Sequence, residues 1–277
     1  QNPEWHNRRG RVVTPGGWNL PEQVERADFP GGLKEIDTTR PDVRAKLIEV
    51  FSWWVEQTNI DGFRIDTVKH VEHEFWRVFT AGVRENLSEM GKENFMMFGE
   101  VFDGNDELAG NYTQPGELDS VFYFSHKFQV FDDVFKRGAP TEKIEQLYTQ
   151  RLQNYGAQGQ EGGLTDANGT PLPPTSVLIN FMDNHDVSRF LYQNNDLDAL
   201  NNGLFYLLTM DGIPCIYYGT EQAFNGGNDP ANREDMFRMP FNEYYIVYDE
   251  NGDPVTDPEA RREAYEPFNT NHPVYKH

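Results

Sequence analysis

Gly62-Phe63-Arg64-Ile65-Asp66 is a short apolar stretch that ends in an acid, and this pattern occurs twice more in the chain. The other two instances are Phe95-Met96-Met97-Phe98-Gly99-Glu100 and Leu178-Ile179-Asn180-Phe181-Met182-Asp183-Asn184-His185-Asp186. Each apolar run predicts a buried β-strand that carries a carboxylate at its C-terminal end. In a β/α barrel, catalytic groups lie at the C-terminal ends of several strands. Asp66, Glu100 and Asp186 are therefore the candidates for catalysis.

Predicted strands and helices alternate along the sequence, which is typical of βα units around a parallel sheet. The apolar patterns predict five strands, at about 61–66, 95–101, 121–124, 176–183 and 213–218, and helices from Pro41 onward and at 71–90, 141–154 and 197–210. A closed barrel needs eight strands. We therefore expect an α/β fold that forms part of a (β/α)8 barrel, with three βα units missing before Gln1.

Two of the predicted helices have an apolar face at helical spacing. The first helix begins at Pro41, a residue that is favourable in a first turn. We expect it to bury Val43, Leu47, Val50, Phe51, Trp54 and Val55. We expect the helix at 71–90 to bury Phe75, Val78, Phe79 and Val83. Residues 1–32, 103–116 and 156–174 lack such a period and are expected to be loops. We expect 1–32 to be the tail of a small loop domain and 33–277 to form the barrel.

The charge of the chain limits its partners. The formal net charge is −21 and the isoelectric point is about 4.6. Such an acidic surface repels nucleic acid and anionic membranes, so neither is an expected partner. A neutral glycan is compatible with it, although solubility alone also explains the charge. No apolar run approaches the roughly 18 residues that span a bilayer.

A single cysteine, Cys215, allows no internal disulfide. Cys215 lies in the predicted strand at 213–218, so we expect an inert thiol on a buried strand. Aromatic residues make up 14% of the chain, and they can fill a core or line a sugar groove.

Each of the three acids also has a purely structural interpretation. Asp66 could form an ion pair with Arg64 or Lys69, Glu100 could cap the next helix, and Asp186 could be a helix N-cap. Their shared position at strand ends, beside basic and imidazole side chains, favours a catalytic site.

The residues around these acids resemble conserved regions of the α-amylase family (glycoside hydrolase family 13). Three of those regions are similar to 63–70, 98–101 and 181–186, in the family's order. The segment 212–222 is similar to the family's strand-eight segment, and 226–233 resembles a loop of calcium-dependent α-amylases and cyclodextrin glucanotransferases. The resemblance extends from about Asp28 to Arg233. It implies a barrel of the α-amylase type in which this chain contributes about strands 4 to 8.

The resemblance assigns a role to each acid. Asp66 matches the nucleophile, Glu100 the general acid/base, and Asp186 the acid that stabilises the transition state. Retention of configuration requires two carboxyl groups about 5–5.5 Å apart, one to attack and one to protonate the leaving oxygen. Arg64 lies on the same side of the strand as Asp66, where its cation would keep the nucleophile ionised. We expect crowding by other carboxylates to raise the pKa of Glu100.

Further residues are implied to bind substrate or metal. His185 matches a residue that hydrogen-bonds sugar hydroxyls, Lys69 and His70 match the leaving-group side, and Asp229 and Arg233 match residues that hold a glucose on the other side. The resemblance also implies a structural calcium ion, bound by the backbone carbonyl of His70 with help from an acid, for which Asp28 is the candidate. The alternative is that Asp28 is an ordinary loop acid.

Some elements of the family pattern are absent from this sequence. The first conserved region, which ends in Asn-His, and the C-terminal β-sandwich domain are missing, so the chain resembles the middle of a larger enzyme. We expect the isolated 277 residues to be unstable and inactive because a five-strand barrel leaves open edges. No chloride ion is expected because 212–222 contains neither Arg nor Lys. Val101, in place of an aromatic residue, favours hydrolysis over cyclisation.

The leading hypothesis is a retaining, endo-acting hydrolase of α-1,4-glucans such as starch. A transglycosidase of the same family, similar to cyclodextrin glucanotransferase, is the first alternative, and a non-catalytic glycan-binding or scaffolding protein is the second. A polymeric substrate implies an extracellular or periplasmic location, and we expect the full-length protein to be a monomer.

Overall fold

The computed structural model of the chain describes residues 2–13, 15–237, 241, 246–266 and 268–277. No helix among these residues is long and apolar enough to cross a membrane.

The chain forms two compact units, each built from two segments. The first unit contains Gln1–Phe124 and Tyr148–Ile179, and the second contains Ser125–Leu147 and Asn180–His277. The sequence predicts a domain boundary between residues 32 and 33. The two compact units divide the chain at other positions, and the predicted boundary stays a prediction.

Helices and strands alternate through most of the described chain, as the sequence predicts. In chain order they are α1 (Pro21–Arg26), α2 (Pro41–Thr58), β1 (Gly62–Ile65), α3 (His73–Glu89), β2 (Met96–Gly99), α4 (Asp106–Gly110), β3 (Ser120–Val121), α5 (Phe124–His126), a π-helix (Lys127–Lys136), α6 (Glu142–Tyr155), α7 (Pro174–Val177), β4 (Ile179–Phe181), α8 (Leu197–Thr209), β5 (Ile213–Cys215), α9 (Pro258–Ala264) and α10 (Pro273–Lys276). Short 3-10 turns cover Pro3–Trp5, Gly17–Asn19, Val68–His70, Asn111–Thr113 and Thr220–Gln222. The described residues thus contain five strands, each of which overlaps the range predicted for it.

A parallel three-stranded sheet organises the first unit. Its order is β1-β2-β3, and Gly62 pairs with Met96 and Ile65 with Gly99 in the parallel register. Because parallel strands end at the same edge of a sheet, the residues that follow β1 and β2 lie at one edge. Asp66 and Glu100 are those residues, and this part of the barrel prediction is confirmed.

Gly99, the residue before Glu100, allows a close approach at this edge. A Cβ atom at this position would lie 2.5 Å from a methyl of Val68 and 2.6 Å from a methyl of Leu118. Only glycine leaves room for the 3-10 turn Val68–His70 to pack directly against β2. The turn follows Asp66 in sequence, so this packing fixes the path of the chain beside the acid.

Helices α2 and α3 pack against each other in the first unit. Helix α3 buries Phe75, Phe79 and Val83, as predicted, while Val78 is only partly buried. The predicted apolar face of α2 is wrong in part, because Val43 and Val55 are buried but Val50, Phe51 and Trp54 are exposed. The Phe51 ring packs in T-shaped geometry against Phe63 and Phe79, and the Trp54 ring packs against the neighbouring Trp53.

The second unit has a core of its own, to which α8 contributes three leucines. The buried cluster consists of Phe131, Met182, Phe190, Leu191, Leu200, Leu204, Leu207 and Val274. Helix α8 packs against the π-helix, and β4 pairs with β5.

Several predicted elements differ in extent from the observed ones. The expected loop 103–116 contains α4, because the Asn105 side chain accepts the backbone N–H of Leu108 and starts a helix. The strand expected from residue 176 begins at Ile179, after the helical turn α7. The strands expected at 121–124 and 213–218 are Ser120–Val121 and Ile213–Cys215.

Cys215 lies on β5, as predicted, but this strand is only partly buried, so the expectation of a buried strand is wrong. Burial, with the nearby charge of Asp183, raises the pKa of the Cys215 thiol. A raised thiol pKa disfavours the reactive thiolate, which agrees with an inert role.

Candidate active site

Asp66 and Glu100 share a cation at the C-terminal edge of the sheet. One nitrogen of the Arg64 guanidinium forms an ion pair with Asp66, and the other lies 3.4 Å from Oε1 of Glu100. The side chain of Asp66 is 65% exposed, whereas Glu100 is only 6% exposed. An accessible carboxylate and a sheltered carboxyl beside one fixed cation suit two different roles in a reaction.

The backbone around Glu100 holds its carboxyl group in place. The N–H of Thr67 donates to Oε2 of Glu100 at 3.2 Å, and the N–H of Val68 donates to its carbonyl at 2.9 Å. Thr67 has φ = 52°, in the left-handed region that non-glycine residues rarely adopt. Such strain persists only where the surrounding contacts enforce it, and it is common at functional sites.

Lys69 and His70 lie on the turn that follows β1, where the sequence places them. The ammonium of Lys69 donates to the carbonyl of Phe102 at 2.5 Å and lies 3.3 Å from Asp103. Nδ1 of His70 lies 3.1 Å from the carbonyl of Val24. Desolvation lowers the pKa of His70, which favours the neutral imidazole.

The carboxylate of Asp28 is already engaged by other groups of the protein. Asp28 is buried, and its carboxylate pairs with the ammonium of Lys34 and accepts the backbone N–H of Glu35 at 3.2 Å. The Lys34 hydrogen bond is the main reason why the pKa of Asp28 is lowered. Among the described residues, no group of three or more His, Cys, Asp or Glu side chains could hold a metal ion. The calcium site stays a prediction, and no step of the proposed chemistry uses it.

Four of the predicted residues form one cluster in the second unit. Oδ2 of Asp186 lies 3.1 Å from Nε2 of His185, and Oδ1 lies 3.4 Å from the Arg233 guanidinium. Arg233 also donates to the carbonyl of His185 at 3.1 Å and pairs with Asp229 at 2.8 Å. The residues that follow β4 are thus linked to the loop that carries Asp229.

The acid that precedes this cluster has a structural role. Asp183 is almost fully buried, accepts the N–H of Phe190 at 2.9 Å and accepts the hydroxyl of Thr220 at 3.0 Å. Burial raises its pKa. The side chain of Asp186 is 33% exposed, so Asp186 remains the candidate acid at the end of the third apolar run.

A buried arginine, which sequence reasoning missed, fastens the two loops of the second unit together. Arg189 is completely buried, donates to Glu234 at 2.9 Å and donates to the carbonyl of Tyr218 at 2.6 Å. The amide of Asn232, also buried, donates to the carbonyls of Asn184 and Val187 at 3.1 and 2.8 Å. These contacts fix the backbone on both sides of Asp186 and Arg233. The available signal was an arginine inside an apolar run, Val187-Ser188-Arg189-Phe190-Leu191.

Each unit therefore assembles its own set of predicted residues. The first unit holds Arg64, Asp66, Lys69, His70 and Glu100, and the second holds His185, Asp186, Asp229 and Arg233. That Asp186 meets Asp66 and Glu100 around one sugar stays a prediction.

Parallel strands that end in carboxylates are typical of catalytic β/α domains. Comparison of this chain with known proteins identifies its family. The model of the alpha amylase catalytic domain matches residues 5–264. The chain belongs to the α-amylase family.

Individual relatives agree with this assignment. An alpha-amylase of Streptomyces lividans is 30% identical over 99% of this chain, and the match covers 28% of that protein. The crystal structure of an alpha-amylase from Geobacillus thermoleovorans in complex with acarbose has a TM-score of 0.68 and 27% identity, covering 88% of this chain and 49% of that one. A cyclomaltodextrin glucanotransferase has a TM-score of 0.67 and 28% identity, covering 87% of this chain and 44% of that one. The chain thus spans less than half the length of each of these relatives.

Proposed function

We propose that the complete protein is a retaining glycoside hydrolase that cleaves α-1,4-glucosidic bonds of starch-like glucans by double displacement. The observation that carries this proposal is the Arg64 guanidinium, which contacts both Asp66 and Glu100 at the ends of two adjacent parallel strands. Family membership and the similarity to alpha-amylases, one of them crystallised with acarbose, support the substrate class.

In the first step, the carboxylate of Asp66 attacks the anomeric carbon while Glu100 gives its proton to the leaving oxygen. The two residues differ in exposure as these roles require, because the nucleophile must reach the sugar and the acid must keep its proton out of bulk water. The ion pair with Arg64 holds Asp66 in a fixed orientation.

In the second step, Glu100 removes a proton from water, which attacks the glycosyl ester on Asp66 and releases the sugar with its configuration retained. Asp186 and His185 bind sugar hydroxyls, and their orientation is set by the contacts with Arg233. We further propose that a polymeric substrate requires an extracellular or periplasmic location.

Replacement of Glu100 by Gln in the complete protein tests the proposal. The amide cannot act as an acid, so starch hydrolysis should fall to background while binding to insoluble starch is kept. Hydrolysis that survives in Glu100→Gln would contradict the assigned role.

A transglycosidase is the second candidate, and it is favoured by the similarity to a cyclomaltodextrin glucanotransferase. Product analysis separates the two functions. Linear maltooligosaccharides support hydrolysis, whereas cyclic or disproportionated products would establish transfer.

A further inference from the structure

The backbone is strained at the residue that directly follows the candidate nucleophile. Thr67 comes after Asp66 and has φ = 52° and ψ = 36°, in the left-handed region. Glycine adopts this region readily and asparagine tolerates it, but a β-branched residue there is a genuine outlier. None of the other described non-glycine residues with positive φ is β-branched; they are Asn59, Asn94, Gln193 and Ala223.

The side chain of Thr67 does not account for this conformation. Thr67 precedes the 3-10 turn Val68–His70, yet its hydroxyl makes no capping hydrogen bond to that turn. The backbone of Thr67 makes the relevant contact instead, because its N–H donates to Oε2 of Glu100 at 3.2 Å. The left-handed residue thus turns the chain after Asp66 and directs an N–H group to the end of the neighbouring strand.

The next residue holds this strained backbone in place. Val68 is completely buried, and its N–H donates to the carbonyl of Glu100 at 2.9 Å. The carbonyl of Val68 accepts the indole N–H of Trp76, on α3, at 3.1 Å. Gly99 leaves room for the Val68 side chain against β2. Contacts on every side of Val68 explain how a strained conformation persists at the residue before it.

A fixed N–H on one carboxyl oxygen limits the orientation of Glu100. Oε2 accepts the Thr67 N–H, while Oε1 lies 3.4 Å from the Arg64 guanidinium. The carboxyl group therefore cannot turn out of its plane without losing both contacts. A general acid must hold its proton within hydrogen-bond reach of the leaving oxygen, so a fixed carboxyl plane favours proton transfer.

We propose that Thr67 is a positioning residue for the acid/base, and that its strained backbone fixes the carboxyl plane of Glu100 through the N–H group. This role rests on the proposed function, in which Glu100 protonates the leaving oxygen. Loss of the contact should therefore slow only reactions that need this proton. Cleavage of starch needs it. The substrate α-maltosyl fluoride does not, because fluoride leaves without being protonated.

Two substitutions in the complete protein separate the backbone of Thr67 from its hydroxyl, with kcat/KM measured on starch and on α-maltosyl fluoride. Thr67→Gly removes the Cβ atom that restricts the backbone, so the Tm should rise by about 2 °C as the strain is relieved. Its kcat/KM should fall about tenfold on starch, the value of one hydrogen bond, and stay unchanged on α-maltosyl fluoride. Thr67→Val keeps the branched side chain and the N–H, so both rates should equal those of the wild type.

Gln193→Gly is the matched control, because Gln193 has φ = 62°, is exposed and lies outside the candidate site. It should raise the Tm and leave both rates unchanged. An equal loss on both substrates in Thr67→Gly, no loss on starch, or a loss in Thr67→Val would overturn the positioning role. If Thr67→Gly fails to fold, the same two rates decide the question for a backbone ester at this position, introduced as 2-hydroxyisovaleric acid and compared with Thr67→Val. Failure of the proposed function would appear separately, as hydrolysis that persists in Glu100→Gln.

Discussion

The guanidinium of Arg64 lies 3.4 Å from a carboxyl oxygen of Glu100, and its other nitrogen pairs with Asp66 two residues along the same strand end. One fixed cation thus joins the two acids to which the proposed mechanism assigns opposite roles. Its position also depends on Phe122, whose ring centroid is 5.7 Å from the guanidinium carbon. The candidate site is therefore a network of at least three charged groups.

Replacement of Arg64 by Met should cost about two to three orders of magnitude in kcat, as does the loss of other fixed polar groups at active sites. The variant keeps the volume of the side chain but removes the cation that orients Asp66. Steady-state kinetics on starch with the wild type and the variant measure this loss. A kcat within a few-fold of the wild-type value would contradict the role assigned to Arg64.

Replacement of Arg189 by Met should destabilise the second unit by about 3–5 kcal/mol, because it leaves the carboxylate of Glu234 buried without its cation. Denaturant unfolding of the complete protein measures this loss. The double variant Arg189→Met with Glu234→Gln should recover much of it.

Arg137→Met is the matched control for Arg189→Met. Arg137 is 62% exposed and pairs with Asp133 one helical turn away, so its removal should cost less than about 1 kcal/mol. Equal losses for the two arginines would contradict the role assigned to the buried one.

Glu35 should make the stability of the first unit depend on pH. Burial, together with the charges of Asp28 and Glu72, raises the pKa of Glu35 from 4.5 to about 7. A carboxyl whose pKa is raised on folding favours the folded state below its unfolded pKa, and that contribution is lost as pH rises through the folded pKa. Glu35→Gln, which is neutral throughout, should therefore raise the Tm at pH 8 and change it little at pH 4.

Thermal unfolding at both pH values checks the Glu35 prediction. The exposed Glu49, which pairs with Lys46 on α2, gives a control whose Gln variant should show no such difference. Equal Tm shifts of Glu35→Gln at pH 4 and pH 8 would contradict it.

Sequence reasoning located the strand ends because β1 and β2 combine a local apolar run with a terminal acid. It also located α2, since Pro41 and the apolar spacing are local signals. The sequence pattern did not predict the π-helix. Two of its buried residues, Lys127 and Asp132, are charged and are buried as a pair, so they do not add to an apolar face.

The partners of the site residues were harder to predict because they are distant in sequence. Arg189 and Glu234 are 45 residues apart, and the burial of each depends on the other. Glu117 is 44 residues from His73, so neither residue carries a local sign of the pair. Long-range ion pairs of this kind follow from the fold and leave no periodic pattern in the chain.

The central claim is that Asp66 attacks the sugar while Glu100 serves as acid and base, and trapping the intermediate tests it most directly. The Glu100→Gln form of the complete protein is incubated with α-maltosyl fluoride. Fluoride leaves without being protonated, so the glycosyl ester on Asp66 can still form. The ester then accumulates, because the variant lacks the base that activates water for its hydrolysis. Mass spectrometry of the digested protein should find a maltosyl group on the peptide that contains Asp66, and Asp66→Asn should abolish the label. A label on any other residue, or a product of inverted configuration with no label, would contradict the mechanism.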